Sequence, residues 1–233
     1  MPRKKDMPRS TTGHHVRSEE RPLMVPAKRQ IRPAKSRIRE LRGSVPNSWS
    51  KADEFAIQLL LDPAVEALEF RTSLPFSDTE VPIGMFIADL EDGRVAFDLV
   101  DARPPRDLDE EGLLLLALEH HGICLVEIDQ AAIDKEPRAS NCRRIWSYRE
   151  HRVPAPIRVA IDRALAVRKR LTIRSLASII GRRDPMRTVG ALVSQGVLAV
   201  DPSTPLGLNS VIGRRSDHWP SSGRLNCSER ASQ

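Results

Sequence analysis

The chain has 233 residues, of which 40% are apolar and only 4% aromatic, and its formal net charge is +6. This length allows one large domain or two small ones with a substantial core. No apolar run reaches the roughly 20 residues of a membrane span, so we expect no membrane partner. No hydrophobic segment follows the basic N-terminus, so we expect no secretory signal. The three cysteines are widely spaced, and we expect a reduced, cytoplasmic protein.

Residues 1–46 form a basic arm that we expect to be disordered, because it is rich in Pro, Arg and Lys and lacks a hydrophobic period. Residues 1–40 contain twelve Lys and Arg against four acids, a net charge of +8, whereas the remainder is close to neutral. A basic tail on a neutral body favours a polyanionic partner, most often nucleic acid. A solvated tail without a specific partner is the open alternative.

Residues 47–150 alternate between helical and strand patterns. Ser50 is a candidate N-cap, and Asp62-Pro63 ends the first helix because the residue before proline avoids the helical region. The turn Glu91-Asp92-Gly93 between two apolar runs predicts a hairpin. A helix crossover between the third and fourth strands implies a mixed sheet in an α/β layer. The predicted elements are helix 50–61, strands Val65–Phe70, Ile83–Leu90 and Val95–Val100, helix 109–120 and strand Ile123–Ile128, with a turn at 72–78.

The hairpin is the stretch around which the chain is organised. Side chains alternate with period two in a strand, so Met85 and Asp89 should share one face of the first strand. By the same alternation, Asp101 and Arg103 should share a face at the end of the second. A metal-dependent nuclease keeps its carboxylates and its lysine in such a place.

Residues 151–208 predict a separate module of three helices followed by a strand. Asp184 and Pro185 are a typical N-cap and N1 pair for the third helix. This order fits a small winged-helix or helix-turn-helix unit, in which the third helix enters a DNA groove. The expected DNA contacts are Arg182, Arg183 and Arg187. A module that binds protein rather than DNA is the alternative, and residues 209–233 are predicted to be a flexible tail.

Four stretches together resemble the TnsA-like endonucleases of cut-and-paste transposons: SKADEFAIQLLLDPAV at 50–65, residues 68–70, FIADLEDG at 86–93, and DARP at 101–104. The resemblance covers roughly residues 44–205, and the order and spacing of the stretches carry it. It implies a restriction-endonuclease-like domain at 47–150, a C-terminal winged helix, and DNA and transposase or other transposition proteins as partners. It also implies Mg²⁺ as the cofactor of any cleavage.

The resemblance further implies the residues of the site. The catalytic helix acid falls on Glu54, with Asp53 as the alternative, and the acid-x-lysine motif falls on Asp101 and Arg103. The central metal-binding aspartate of the family falls on Met85. Mg²⁺ requires oxygen ligands, and arginine does not give up a proton to act as a base. We therefore expect DNA cleavage to be weakened or lost.

Two other functions stay open at this stage. An active magnesium endonuclease with a rearranged site would use Glu54, Asp89 and Asp101 as metal ligands and Arg103 as an electrophile. A non-enzymatic winged-helix regulator would instead bind a duplex through residues 150–210 alone, with an affinity that falls steeply with salt.

Overall fold

The computed structural model describes residues 41–43, 51–181, 184–217 and 219, which all belong to one compact unit. Except for residues 41–43, the expected basic arm lies outside the described residues. Arg182 and Arg183, two of the expected DNA contacts, also lie outside them. Among the described residues, no helix has the length and the apolar content that a bilayer crossing requires.

The first part of the chain is a mixed four-stranded sheet flanked by helices. The strands lie in the order β1-β2-β3-β4, with antiparallel neighbours except for the parallel pair β3 and β4. The predicted α/β class and the crossover through α2 are therefore confirmed. The elements are α1 (Ala52–Leu61), β1 (Val65–Phe76), β2 (Thr79–Leu90), β3 (Gly93–Leu99), α2 (Leu108–His120) and β4 (Ile123–Ile128).

The two faces of this sheet pack against different helices. Phe86 and Phe97 lie in a core cluster with Phe55 of α1, and both of their rings meet that of Phe55 edge to face. Met85 alternates with Phe86 along β2 and points to the other face, where it lies in a second cluster with Ile87 and with Leu114 of α2. Because neighbouring strand residues point to opposite faces, α1 and α2 cover opposite sides of the sheet.

The predicted hairpin is confirmed. Leu90 pairs with Gly93, whose φ of 139° suits a glycine, so the reversal contains only two residues. The preceding connection differs from the prediction. β1 runs to Phe76 and pairs with β2 down to Thr79, so the turn contains only Ser77 and Asp78 rather than residues 72–78.

Residues 41–43 belong to the sheet edge rather than to a disordered arm. Arg42 forms a parallel bridge with Glu69 of β1, and its carbonyl accepts a hydrogen bond from the Phe70 N–H at 2.7 Å. Gly43 has a φ of 90°, and a Cβ there would lie 2.2 Å from the Phe70 carbonyl oxygen. This close approach admits only glycine, and the expectation that residues 41–43 are disordered is wrong.

The second part contains six helices and strands after two linking helices. The side chains of Thr172 and Asp184 accept hydrogen bonds from backbone N–H groups in the first turns of α6 and α7, as expected of N-cap residues. β5, β7 and β6 form an antiparallel sheet in that order. The linking helices are α3 (Gln130–Ile133) and α4 (Arg138–Trp146), and the others are α5 (Ala155–Val167), β5 (Arg170–Thr172), α6 (Ile173–Ile180), α7 (Pro185–Ser194), β6 (Leu198–Val200) and β7 (Val211–Arg214).

β7 corrects the prediction that a flexible tail starts at residue 209. It is the central strand of the small sheet, and its Ile212 is fully buried. Only two residues of this short strand are buried, so no long apolar pattern marks it in the sequence. The structured part of the chain therefore extends past residue 208.

One core cluster joins the two parts. It contains Leu61 from the end of α1, Cys142 and Ile145 from α4, and residues of the C-terminal part such as Val189 and Ile212. The predicted boundary at residue 150 therefore does not separate two cores.

The cysteines also differ from the uniformly reduced set that the sequence led us to expect. Cys142 is a free buried thiol, and Cys124 is disulfide-bonded.

Candidate functional site

The structure does not bring the three predicted metal ligands together. Glu54 accepts from Lys51 Nζ at 3.0 Å and from Arg143 at 3.4 Å, and Asp89 pairs with Arg94 at 3.0 Å. Asp101 is exposed, and its Oδ2 accepts the N–H of Gln130 at 2.7 Å. No group of three or more His, Cys, Asp or Glu side chains arranged to hold a metal occurs in the described residues.

Met85 and Glu54 lie on opposite sides of the sheet. Met85 is fully buried in the cluster that faces α2, together with Ile83 and Ile87. Glu54 belongs to α1, which packs on the other face. The expected pocket formed by Met85, Glu54 and Asp101 is therefore absent from the described part of the chain.

Arg103 contacts a different carboxylate from the one expected. The resemblance pairs it with Asp101, whereas its Nε donates to Oδ2 of Asp98 at 2.7 Å. The chain turns after Leu99, as shown by the Ala102 and Arg103 N–H groups that bond to the Leu99 carbonyl. The period-two alternation that linked Asp101 to Arg103 ends there.

Asp98 is the carboxylate around which two arginines gather. Its side chain is fully buried in β3, and a second arginine, Arg106, donates through Nη1 to the same Oδ2 at 2.8 Å. Arg106 also reaches the Ile83 carbonyl at 3.1 Å and Glu111 of α2 at 3.5 Å. We call Asp98, Arg103 and Arg106 the buried arginine cluster.

The buried arginine cluster lies next to the position where the pairing between β2 and β3 ends. The β2–β3 ladder ends at the pair Phe86 and Phe97, although β2 continues to Thr79 beside β1. Continuing that register places Met85 beside Asp98 on the face toward α2. Arg106 bonds to both strands in this gap, through the Ile83 carbonyl and the Asp98 carboxylate.

Asp98 could have been found in the sequence. It interrupts the apolar run of β3 at a position where a buried strand otherwise has apolar residues, and a buried acid requires a charge partner. Arg103 and Arg106 follow within eight residues. The resemblance instead drew attention to the next aspartate, Asp101, which lies beyond the end of the strand.

The residues present do not fit a magnesium centre. Mg²⁺ requires several oxygen ligands around one point. Oδ2 of Asp98 already accepts two guanidinium hydrogen bonds, and the neighbouring position is a methionine whose thioether is a poor ligand for this ion. The cluster is built to neutralise a buried charge and to hold the loop after β3 against β2 and α2.

A second charge network surrounds Glu54 at the start of α1. Lys51 Nζ lies 3.0 Å from both Glu54 Oε2 and Asp134 Oδ1. The hydrogen bonds to Asp134 and Glu54 raise the pKa of Lys51, and the bond from Lys51 lowers the pKa of Asp134. The lysine thus ties α1 to the end of α3, and both Glu54 and Asp134 are occupied by cations of the chain itself.

Helix α7, the predicted groove-reading helix, is packed inside the protein. Eight of its ten residues are buried, and it contacts α4, α6 and β6. A Cβ on Gly190 would lie 2.6 Å from Cδ2 of Tyr148, so the segment after α4 passes directly over the helix. Arg187 is the one exposed side chain of α7 between residues 185 and 193. In this arrangement α7 cannot enter a major groove.

Polar contacts reinforce the junction between the two parts. Arg138 of α4 pairs with the buried Asp62 at 2.9 Å, and Asn141 donates to the Pro202 carbonyl at 2.9 Å. Arg215, just after β7, donates to the carbonyls of Leu60, Asp62 and Val65. These contacts order the C-terminal part relative to the mixed sheet.

Comparison with protein-family models, with curated proteins and with solved structures found no match to this chain.

Proposed function

We propose that this chain is a TnsA-like DNA-binding component of a transposition system, in which a nuclease-type domain has lost metal-dependent DNA cleavage. The order α1-β1-β2-β3-α2-β4, with a parallel last pair and helices on both faces, supports a restriction-endonuclease-like domain. The sequence resemblance to TnsA-like endonucleases supports the transposon context. Such a component would act in the cytoplasm.

The C-terminal part supports a winged-helix module in this proposal. Its order α5-β5-α6-α7-β6-β7, with three antiparallel strands, has a wing-like hairpin after the third helix. Because α7 is buried against α4, it would hold this module against the first part of the chain. The module would then bind DNA or transposition proteins through a surface other than α7. That burial argues against a regulator that reads bases through α7.

The observation that supports the loss of cleavage is that two arginines already occupy the carboxylate of Asp98. In the resembled nucleases, one acid early in a strand and one acid late in the next hold the metal. The resemblance puts Met85 and Asp101 at those two positions, and the Met85 thioether is a poor ligand for Mg²⁺. The buried acid of the same strand end, Asp98, is occupied by Arg103 and Arg106, which supply the positive charge that a metal ion would bring. A fixed pair of guanidinium groups cannot generate a nucleophilic hydroxide.

The test measures binding and cleavage with the same full-length protein. We expect a labelled DNA duplex to bind with an affinity that falls with salt, because phosphate contacts release counterions. We expect no nicking of supercoiled plasmid with Mg²⁺ or Mn²⁺ above the level of the Glu54→Ala and Asp101→Ala variants.

Each alternative has its own outcome in this test. Nicking by the wild type that disappears in Asp101→Ala would establish an active endonuclease with a rearranged site and overturn the proposed loss of cleavage. No duplex binding at any salt concentration would overturn the DNA-binding component itself.

A further inference from the structure

The three cysteines of the chain are in different chemical states. Cys142 of α4 is a free thiol, whereas Cys124 of β4 is disulfide-bonded. The structure consists of this one chain. Because Cys142 is free, Cys227 is the cysteine of the chain that is left to bond to Cys124. Cys227 itself lies outside the described residues, in the segment that follows Trp219.

Cys124 lies on an outer strand of the mixed sheet. In the described sheet β4 pairs only with β3, where Cys124 is opposite Val95. Its side chain packs against the cluster that contains Val95 and Phe55 of α1, and it is only partly buried. The sulfur therefore lies at the rim of the face toward α1, where a second segment of the chain can reach it.

The chain before Cys227 is anchored at the opposite side of this sheet. Arg215 donates to the carbonyls of Leu60 and Val65 at 3.0 and 3.1 Å, and Val65 begins β1, the first strand of the order β1-β2-β3-β4. Three strand spacings of about 4.8 Å separate β1 from β4, a width of roughly 14 Å. The roughly twelve residues from Arg215 to Cys227 span at most about 40 Å when extended. This length is sufficient to carry Cys227 across the sheet to Cys124.

The free thiol is protected from exchange with this bond. Cys142 belongs to the core cluster that joins the two parts of the chain, and it is 1% exposed. Burial also raises its pKa to about 11. Disulfide exchange requires attack by an accessible thiolate. Cys142 therefore cannot replace either partner in the folded protein.

We propose that Cys124 and Cys227 form a redox-controlled disulfide, which fastens segment 220–227 across the mixed sheet to β4. We call this segment the C-terminal strap. The bond forms when the two thiols lose two protons and two electrons to a disulfide oxidant such as oxidised glutathione, which becomes two molecules of reduced glutathione. In the reverse direction, a glutathione thiolate attacks one sulfur and releases the other as a thiolate, and a second glutathione completes the reduction.

The expected consequence is a chain that is harder to unfold when it is oxidised. The bond closes a loop of about 100 residues, from β4 through the whole C-terminal part, and so restricts the unfolded chain. In a compartment that glutathione keeps reducing, disulfides are transient and act as switches rather than as permanent links. The strap would there be fastened only under oxidising conditions. This inference goes beyond the proposed function and does not depend on it.

The first test maps the bond by mass spectrometry. The full-length protein is equilibrated in buffers with different ratios of reduced to oxidised glutathione, quenched with acid, alkylated in urea with N-ethylmaleimide, and digested with trypsin without reductant. The three cysteines lie in separate tryptic peptides, residues 107–135, 139–143 and 225–230. We expect peptide 107–135 to be linked to 225–230 in oxidised glutathione and both to be alkylated in reduced glutathione, with 139–143 alkylated throughout.

Other linkages would overturn the pairing. Peptide 107–135 without a link to 225–230 in every buffer is one such result. A link from 107–135 to 139–143, or to the same peptide of a second copy, is another.

The second test measures whether the bond fastens the structure. We expect the urea midpoint of the oxidised wild type to exceed that of the reduced wild type by at least about 1 M, because closing a loop of this size restricts the unfolded chain. Cys227→Ser should unfold at the midpoint of the reduced protein in both buffers. Cys142→Ala is the control, since it loses a buried side chain in both states and should keep the difference between them. A redox difference that persists in Cys227→Ser, or equal midpoints for the oxidised and reduced wild type, would contradict the strap.

Discussion

The guanidinium of Arg103 bonds to the carboxylate of Asp98, five residues earlier, with Nε 2.7 Å from Oδ2. Asp98 is fully buried in β3, and Arg103 belongs to the loop that leaves that strand. Since Arg106 contacts the same oxygen, one buried acid holds the connection between β3 and α2 in place. Breaking this contact should therefore affect folding more than any surface ion pair.

Replacing Asp98 by Asn removes the charge partner of both arginines. We expect the free energy of unfolding to fall by about 3 kcal/mol, because a buried cation without its counter-ion costs that much. Asp89→Asn is the control, since Asp89 pairs with Arg94 near the surface and such pairs contribute at most about 1 kcal/mol. Urea denaturation measures both variants. Equal, small losses would contradict the role of Asp98.

Gly190 of α7 should not tolerate a side chain. Alanine favours a helix over glycine by about 1 kcal/mol, but a Cβ at this position meets the Tyr148 ring at 2.6 Å. We expect Gly190→Ala to lower the free energy of unfolding by about 1–3 kcal/mol through overpacking. Gly112→Ala in α2, where a Cβ meets nothing within 4 Å, should instead raise it. Thermal or urea unfolding of the two variants decides, and a stabilised Gly190→Ala would show that α7 and Tyr148 are not packed together.

Cys142 should behave as a protected thiol. Burial raises its pKa from 9.0 to about 11, so the thiol stays protonated at pH 8. Alkylation by iodoacetamide, followed by mass spectrometry of the Cys142 peptide, should be much slower in the native protein than in urea, because the thiolate is the reactive form. Labelling at equal rates in both states would contradict burial.

The same pKa shift predicts how stability depends on pH. Between pH 9 and about 11 the unfolded chain loses the Cys142 proton while the native chain retains it. Stability therefore falls as pH rises through this window. Cys142→Ala is the reference variant, and its stability should fall less over the same range. Parallel curves for the two proteins would contradict the raised pKa.

The C-terminal part should not fold when it is expressed as residues 150–210. This fragment lacks β7, the central strand of its sheet, and it also lacks Leu61 and Ile145, which complete its core. We expect little cooperative unfolding by circular dichroism, whereas the full chain should lose both parts in one transition. A fragment that melts cooperatively would show that the junction contributes little.

The amino-acid sequence by itself determined the local elements. The acidic turn with Gly93 set the hairpin, Thr172 and Asp184 set the starts of two helices, and the helix between the third and fourth strands implied a parallel pair. These features depend on neighbours within a few residues, on turn geometry, capping and period, which can be read along the chain.

Tertiary structure decided which charges meet and which faces remain exposed. Asp98 rather than Asp101 binds Arg103 because the chain turns after Leu99. Helix α7 is buried because α4 and Tyr148 pack against it. β7 enters the small sheet from a segment whose own pattern is too short to predict it. Such contacts join residues that are far apart or beyond a turn, so their energies depend on packing and burial that no local pattern records.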